Sequence, residues 1–184
     1  ARLAASHAPL VAEAHARAVL VDATGDGDLP LPPETPLIVA CPHIASLVQV
    51  EEEHRDTGPA AQFLEAFPHA RCVVYEPKAT REEILLRLQE ALTQSCPDAR
   101  TVLLSYNAHI FPGQEQAFKA IAAGRQGTIL AALRNPYDLA GISEASTRIA
   151  TFGFRSPDIR SLIALLLGRL PIRRDGWPVR LRQA

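Results

Sequence analysis

The sequence predicts an α/β fold: a doubly wound, three-layer αβα sandwich with a mostly parallel sheet of five or six strands. Three observations support this prediction. Short runs rich in Val, Ile and Leu alternate with segments whose apolar residues recur at helical spacing. The runs do not alternate polar with apolar residues, which is typical of strands covered on both faces. The order strand, helix, strand favours parallel pairing through right-handed crossovers.

The first elements are a helix over residues 3–17, rich in alanine, and a strand over Ala18–Asp22. A glycine- and aspartate-rich turn at 24–28 and three nearby prolines end this strand. Its Gly-Asp-Gly segment lacks the third glycine and the following helix of a dinucleotide-binding loop, and its aspartates would repel a pyrophosphate. We therefore interpret the segment as a hairpin-like turn.

The middle of the chain predicts four more strands separated by helices. The strands are expected at 36–41, 71–75, 101–106 and 128–133. The helices between them are expected at 59–67, 81–93 and 114–123. Each strand stretch is short and apolar, and each helix is long enough to cross from one strand to the next.

After the fifth strand the elements become shorter. A brief helix is predicted to start at 135–138, and a sixth strand is possible at 148–154. The last helix is predicted to open with Ser156 as N-cap and Pro157 at the first helical position, and to end at Gly168, its C′ residue. Pro171–Leu181 predicts a turn and a short strand.

Composition limits the classes of function. The 184 residues fit one domain, 1–184, and the net charge of −1 gives no field that would collect nucleic acid. Arginines near the C-terminus are interrupted by prolines and glycine, so they predict a solvated tail. The longest apolar run, 162–167, is far short of the ~20 residues that span a membrane. No cofactor motif is present, and localisation is otherwise open.

Three cysteines, Cys41, Cys72 and Cys96, are an odd number without a close pair. This excludes a disulfide scaffold and a Cys-x-x-Cys metal knuckle. Each is predicted to be a small buried apolar residue, which favours a reducing compartment such as the cytoplasm. The acidic run at 51–54 cannot converge on one ion from consecutive positions, so it predicts a solvated face rather than a metal site.

A ligand site in a parallel sheet is expected beyond the carboxyl ends of the strands. The loops there hold residues 42–43, 76–78, 107–109 and 134–136, and none repeats a phosphate loop. His109 is the one histidine whose expected position suits contact with a substrate, although a packed or surface histidine is the commoner explanation. Asn135–Asp138 also makes a good helix start, with Asn135 as N-cap, so structure alone can account for that segment. No catalytic nucleophile motif is present.

Several segments together resemble the C-terminal domain of family 3 glycoside hydrolases, over residues 18–181. They are 26–31, 101–108, Gln116 with its helix, 129–139, 151–154, 161–168 and 176–181. The most specific segment, Ala-Leu-Arg-Asn-Pro-Tyr-Asp-Leu at 132–139, resembles the β-N-acetylhexosaminidase branch. The resemblance implies a parent enzyme that cleaves a terminal β-linked sugar with retention.

In that family a barrel precedes this domain and carries the Asp nucleophile, and a (β/α)₈ barrel takes ~250 residues. The resemblance thus implies a non-catalytic accessory domain, inactive alone, whose partner is the barrel of the same parent chain. The β-glucosidase branch carries a Glu acid/base in the loop matching 107–113, where this chain has no carboxylate. Glu115 is expected in the first turn of the next helix, which favours the hexosaminidase branch.

The residues expected to border a carbohydrate at the interface with the barrel are Asn107, His109, Arg134 and Asn135. Two alternatives stay open. One is a free-standing flavodoxin-like module that binds a small ligand at the point where the strand order reverses. The other is a docking role, which would leave a large apolar patch on the surface of the chain.

Overall fold

The structure, a computed structural model, describes residues 2–43, 58–179 and 181. Within these residues, one six-stranded sheet lies between two layers of helices, so the predicted three-layer α/β sandwich is confirmed. The strands are β1 (Leu20–Ala23), β2 (Leu37–Pro42), β3 (Ala70–Tyr75), β4 (Arg100–Ser105), β5 (Ile129–Ala132) and β6 (Thr147–Ala150). The helices are α1 (Arg2–Arg17), α2 (Pro59–Ala66), α3 (Arg81–Gln94), α4 (Pro112–Gly124), α5 (Asp138–Gly141) and α6 (Ser156–Leu166).

The sheet order is β1-β6-β5-β4-β2-β3. From β2 the chain winds outward to β3, then returns to the other side of β2 for β4, β5 and β6, and these strands are all parallel. The direction of winding therefore reverses between β2 and β4, as in a doubly wound sheet. β1, which forms one edge of the sheet, is the exception: it pairs antiparallel with β6.

Two cores cover the two faces of the sheet. Alternate residues of β4 contribute to each: Val102 and Leu104 face one core, while Leu103 faces the other. The first core is closed by α2 and α6, with Phe63 and Leu162 fully buried. The second is closed by α3, α4 and α5. Burial on both faces explains why the strand sequences are continuously apolar.

The last strand and last helix differ from their predicted bounds. β6 ends at Ala150 because Phe152 adopts a left-handed backbone with φ 55°, which cannot continue a strand. Arg155, not Ser156, is the N-cap of α6, and its backbone N–H donates to the Asp158 carboxylate at 3.0 Å. Pro157 still lies in the first turn, although Ser156 holds the first helical position.

The predicted glycine stop after α6 is confirmed. Gly168 has φ 71°, a conformation that glycine adopts without strain. Its backbone N–H donates to Leu165 O at 2.9 Å, and Arg169 N–H donates to Ala164 O at 2.8 Å. This pair of bonds is a Schellman motif, which satisfies the last carbonyls of the helix.

The predicted short strand in the C-terminal tail is wrong for residues 171–179, which hold no strand. Val21 N–H donates to Arg173 O at 2.7 Å, but a ladder does not develop because Pro171 and Pro178 lack an N–H. The tail is held by side chains instead: the Trp177 ring packs edge-on against Phe152 at 6.1 Å.

The cysteines differ in burial. Cys41 is buried and Cys72 half-buried, but Cys96 is exposed in the turn between α3 and β4, so its predicted burial is wrong. A hydrogen bond with Cys72, followed by burial, raises the pKa of Cys41 far above that of an ordinary thiol. Cys41 is therefore a neutral apolar residue of the core. No helix among the described residues has the length and apolarity to cross a bilayer.

The Gly-Asp-Gly segment forms the predicted turn, with Asp28 N–H donating to Gly25 O at 3.2 Å. It is not a hairpin, since β1 and β2 lie apart in the sheet. The Asp28 side chain is buried and contacts Arg100 at 2.5 Å, Ser146 Oγ at 2.5 Å and Thr147 Oγ1 at 2.7 Å. We call these four residues the amino-edge cluster, because Arg100 and Thr147 begin β4 and β6.

Candidate functional site at the carboxyl edge of the sheet

The four residues predicted to border a ligand follow two adjacent parallel strands. Asn107 and His109 come after β4, and Arg134 and Asn135 come after β5. All four lie at the carboxyl edge of the sheet, where open α/β sheets bind ligands. The structure brings His109 and Asn135 into contact, while Arg134 contacts a different side chain.

The loop after β4 turns sharply at Asn107. This residue has φ 54°, a left-handed conformation that asparagine tolerates better than most residues. Its carbonyl accepts from Ile110 N–H at 2.9 Å and from Phe111 N–H at 3.2 Å. Asn107 therefore shapes the loop through its backbone, and its side chain is half-buried.

Asp138 is the central residue that sequence reasoning did not identify as functional. Its side chain is fully buried, and its Oδ2 accepts from Ser105 Oγ at 2.8 Å. Its Oδ1 accepts from the backbone N–H of His109 at 3.1 Å and lies 2.7 Å from His109 Nδ1. The first residue of α5 thus ties the β5 loop to the end of β4.

Two further side chains contact the His109 ring. Asn135 Nδ2 lies 3.4 Å from His109 Nε2, and the Tyr137 ring packs edge-on against the imidazole at 6.0 Å. Asn135 Oδ1 accepts from Tyr137 N–H at 3.2 Å. The prediction that Asn135 is the N-cap of α5 is therefore wrong. The helix begins at Asp138, after a turn that the Asn135 side chain closes.

We call Ser105, His109, Asn135 and Asp138 the carboxyl-edge cluster. A buried carboxylate that holds one imidazole nitrogen fixes the ring and leaves the other nitrogen to meet a ligand. The cluster can form directed hydrogen bonds to a polar molecule. A catalytic triad would need a nucleophilic side chain beside His109. The contacts described for its ring are with Asn135, Asp138 and Tyr137 instead.

Arg134 lies beside this cluster and contacts Tyr106. Its Nη1 donates to Tyr106 Oη at 2.6 Å, and its guanidinium lies 5.7 Å from the centre of that ring. Tyr106 in turn packs edge-on against Phe154, which follows β6. The contact holds an exposed positive charge at the edge where β4, β5 and β6 end.

A buried network behind the loop holds it in place. Gln114 Oε1 accepts from Tyr106 N–H at 2.8 Å and lies 3.0 Å from Tyr75 Oη, which also lies 2.8 Å from Leu104 O. Burial, followed by the nearby charge of Asp138, raises the pKa of Tyr75 well above that of an ordinary tyrosine. Its hydroxyl therefore stays protonated and donates into the wall of the site.

Glu115 lies in the first turn of α4, as predicted. Its carboxylate pairs with Lys119 at 2.8 Å, and this hydrogen bond raises the pKa of Lys119. The loop before α4, which ends at Phe111, carries no carboxylate. Glu115 is therefore engaged along its own helix rather than in the loop after β4.

A second histidine lies at the same edge, where the sequence places residues 42–43. His43 follows β2, and its Nδ1 lies 2.5 Å from Glu76 Oε1 after β3. Parallel pairing of β2 with β3 brings these two loops together. The acidic run predicted at 51–54 falls outside the described residues. Among the described residues, no group of three or more His, Cys, Asp or Glu side chains could hold a metal ion.

Comparison with known proteins places the fold. No protein-family model matches the chain, and no curated protein matches it by sequence. A family 3 β-N-acetylglucosaminidase from Paenibacillus sp. FPU-7 aligns over 90% of this chain with a TM-score of 0.73 and 23% identity. A fungal multi-domain family 3 β-N-acetylglucosaminidase aligns over 96%, with a TM-score of 0.73 and 19% identity. A β-glucosidase from Listeria innocua aligns over 86%, with a TM-score of 0.69 and 14% identity.

The chain shares the fold of part of these enzymes. It spans 31%, 19% and 25% of their respective lengths, which is less than a third in each case. The resemblance in fold to a domain of family 3 glycoside hydrolases is confirmed. At these identities the likeness establishes fold, and activity has to be argued from the site.

Proposed function

We propose that the chain is a non-catalytic accessory domain, the C-terminal domain of a family 3 glycoside hydrolase. The single observation that carries the proposal is the partial coverage: 86 to 96% of this chain matches, but only 19 to 31% of each solved enzyme does. The remainder of such an enzyme has room for a catalytic barrel of ~250 residues. The partner of this chain is then the barrel of the same parent protein.

The parent activity that we propose is hydrolysis of terminal β-linked N-acetylglucosamine. Two observations favour it over β-glucosidase activity. The loop from residue 107 to 111 holds no carboxylate that could serve as a glucosidase-type acid/base, and Glu115 is paired with Lys119. The two β-N-acetylglucosaminidase structures also share more identity with the chain, 23 and 19%, than the β-glucosidase at 14%.

The carboxyl edge of the sheet is the surface that we assign to the barrel and the sugar. Asn107, His109, Arg134 and Asn135 supply amide, imidazole and guanidinium groups, which suit the hydroxyl and acetamido groups of an amino sugar. Exposed apolar side chains adjoin them: Ile110 is 60% exposed and Tyr137 is 46% exposed. Such residues at the rim of a polar cluster are typical of a surface that another domain covers.

The first test is the coding sequence upstream of Ala1. A barrel that carries an Asp nucleophile supports the proposal, and a start codon or an unrelated domain contradicts it. The polypeptide that contains both parts would then be assayed with nitrophenyl β-N-acetylglucosaminide and nitrophenyl β-glucoside. Higher kcat/KM on the first substrate supports the branch assigned here, and preference for the glucoside overturns it.

The second test concerns the border residues. Replacement of Arg134 or Asn135 by Ala should raise KM about three- to tenfold, because each loses one or two hydrogen bonds to the sugar. The matched control is Arg87→Ala, an exposed arginine in the middle of α3, which should leave KM unchanged. Unchanged KM in both border variants would remove these residues from the substrate border.

A free-standing flavodoxin-like module is the second candidate, and the strand order favours it. The reversal between β2 and β4 is the point where such sheets bind small ligands. Calorimetric titration of the chain with flavin and adenine nucleotides and with N-acetylglucosamine separates the two readings. Submicromolar binding of a nucleotide would favour the module.

A further inference from the structure

The carboxyl-edge cluster determines where the proton of His109 lies. The Asn135 amide can be oriented without ambiguity, since its Oδ1 accepts from Tyr137 N–H at 3.2 Å. Its Nδ2 must then face His109 Nε2, at 3.4 Å. An amide NH₂ group only donates, so Nε2 has to be the acceptor.

Asp138 completes the assignment on the other side of the ring. Its Oδ1 lies 2.7 Å from His109 Nδ1 and accepts from the backbone N–H of the same residue at 3.1 Å. An ionised carboxylate only accepts, so Nδ1 carries the proton. The carboxylate itself cannot rotate away, since Ser105 Oγ donates to its Oδ2 at 2.8 Å and the side chain is fully buried.

We propose that Asp138 is a positioning residue that holds His109 as the Nδ1–H tautomer, so that Nε2 accepts a hydrogen bond from a hydroxyl group of the ligand. That hydroxyl group replaces the 3.4 Å contact with Asn135 Nδ2 at the single lone pair of Nε2, and the amide is then free to donate to the ligand. His109 is an exposed residue, and its Nδ1 faces a carboxylate that is fully buried. A ligand with several hydroxyl groups, such as a sugar, matches this acceptor and the neighbouring Asn135 amide donor. The choice of a sugar rests on the proposed function, but the tautomer does not.

The tautomer is measured on the 184-residue chain by two-dimensional ¹⁵N–¹H NMR of its histidine side chains at neutral pH. The expected spectrum shows a protonated Nδ1 and an unprotonated Nε2 for His109. Asp138→Asn should keep this pattern, since the amide oxygen can replace Oδ1 while its NH₂ group donates to Ser105 Oγ. Asp138→Ala should shift His109 towards the Nε2–H form that histidine favours in water.

His15 provides an internal control in the same spectra. Its Nδ1 lies 2.5 Å from Asp158, a separate pair that joins α1 to α6 on the other layer of helices. Its signals should be the same in wild type and in both Asp138 variants. A change at His15 in Asp138→Ala would show that this variant disturbs the fold. The comparison of wild type with Asp138→Asn then tests the tautomer of His109 by itself. A wild-type His109 with a protonated Nε2 overturns the proposal.

The role in binding is measured on the parent enzyme with two variants of His109. Gln places an acceptor near the Nε2 position, while Asn reaches only as far as Nδ1. His109→Asn should raise KM about tenfold with kcat little changed, and His109→Gln should recover most of that loss. Equal KM in both variants and wild type would overturn the acceptor role. An enzyme inactive on both glycosides would instead overturn the proposed function, and the NMR result on the tautomer would stand separately.

Discussion

Two of the buried aspartates, one at each edge of the sheet, differ in the partner that balances them. At the amino edge, Asp28 contacts the guanidinium of Arg100 at 2.5 Å and two hydroxyl groups. At the carboxyl edge, Asp138 contacts the imidazole of His109 at 2.7 Å and one hydroxyl group. The exposed fraction of the partner side chain is nearly the same, 26% for Arg100 and 27% for His109.

Exposure therefore does not separate these two clusters, but the chemistry of the partner does. Arginine stays protonated, and Nη2 of Arg100 donates to the Asp28 carboxylate and to Gly27 O, so this group can only donate. Histidine has two ring nitrogens, and the hydrogen bond at one of them determines whether the other carries a proton. In the carboxyl-edge cluster the buried carboxylate therefore affects the ring nitrogen on the far side of His109. The first cluster joins strand ends, and the second contains the histidine that we propose to contact a ligand.

The largest effect is expected when the amino-edge cluster loses its carboxylate. Asp28→Ala leaves the Arg100 charge without its partner and two hydroxyl groups without an acceptor, which should lower the free energy of unfolding by about 3 kcal/mol. The measurement is urea denaturation of the 184-residue chain. Asp28→Asn is the matched control and should lose about half as much, because it keeps acceptors for Ser146 and Thr147.

The corresponding change at the carboxyl edge should cost less. Asp138→Ala leaves the Ser105 hydroxyl and the His109 N–H without a buried acceptor, at a cost of about 2 kcal/mol, but it strands no permanent charge. Asp138→Asn should lose about 1 kcal/mol. A larger loss for Asp138→Ala than for Asp28→Ala, in the same urea series, would reverse the comparison and make the carboxyl-edge cluster the main structural one.

The fold could be predicted from the sequence because strands buried on both faces are continuously apolar over a few residues. Val102 to Leu104 and Ile129 to Ala131 are uninterrupted apolar runs, and these runs became β4 and β5. The antiparallel placement of β1 was not accessible, since pairing with β6 joins residues 130 positions apart, Leu20 and Ala150. Local pattern predicts an element, but its neighbours in the sheet depend on long-range packing.

The candidate site was accessible only in part. The rule that ligands bind beyond the carboxyl ends of parallel strands selected His109 and Asn135, which do lie in contact. Asp138 was missed because an acid at a helix start has an ordinary explanation in local structure. A signal was present in Ser105, a polar residue at the end of an apolar strand, since a buried hydroxyl needs a partner. Nothing in the sequence indicated which of the acids would supply it.

The backbone at Asn107 separates a structural from a functional role at the carboxyl edge. Asn107 has φ 54°, a left-handed conformation that glycine adopts freely and alanine does not. Asn107→Gly should therefore leave the free energy of unfolding within about 0.5 kcal/mol of wild type, whereas Asn107→Ala should lower it by about 1 kcal/mol. Both are read by urea denaturation. If the side chain borders a sugar, the parent enzyme with Gly at this position should show a raised KM despite unchanged stability. An unchanged KM would limit Asn107 to shaping the loop.

The smallest effect concerns a carboxylate that forms similar hydrogen bonds in full contact with water. Glu83 accepts from the backbone N–H and hydroxyl of Thr80 in the capping box of α3, and these bonds lower its pKa. A lowered pKa in the folded state stabilises the fold above the ordinary pKa of glutamate, and this contribution disappears as the pH falls through the lowered value. Wild type should therefore be slightly more stable than Glu83→Gln at neutral pH, and the difference should vanish in acid. Thermal unfolding of both proteins across this pH range measures it. A difference at neutral pH as large as that for Asp138→Asn would show that burial is not what makes the two aspartate clusters strong.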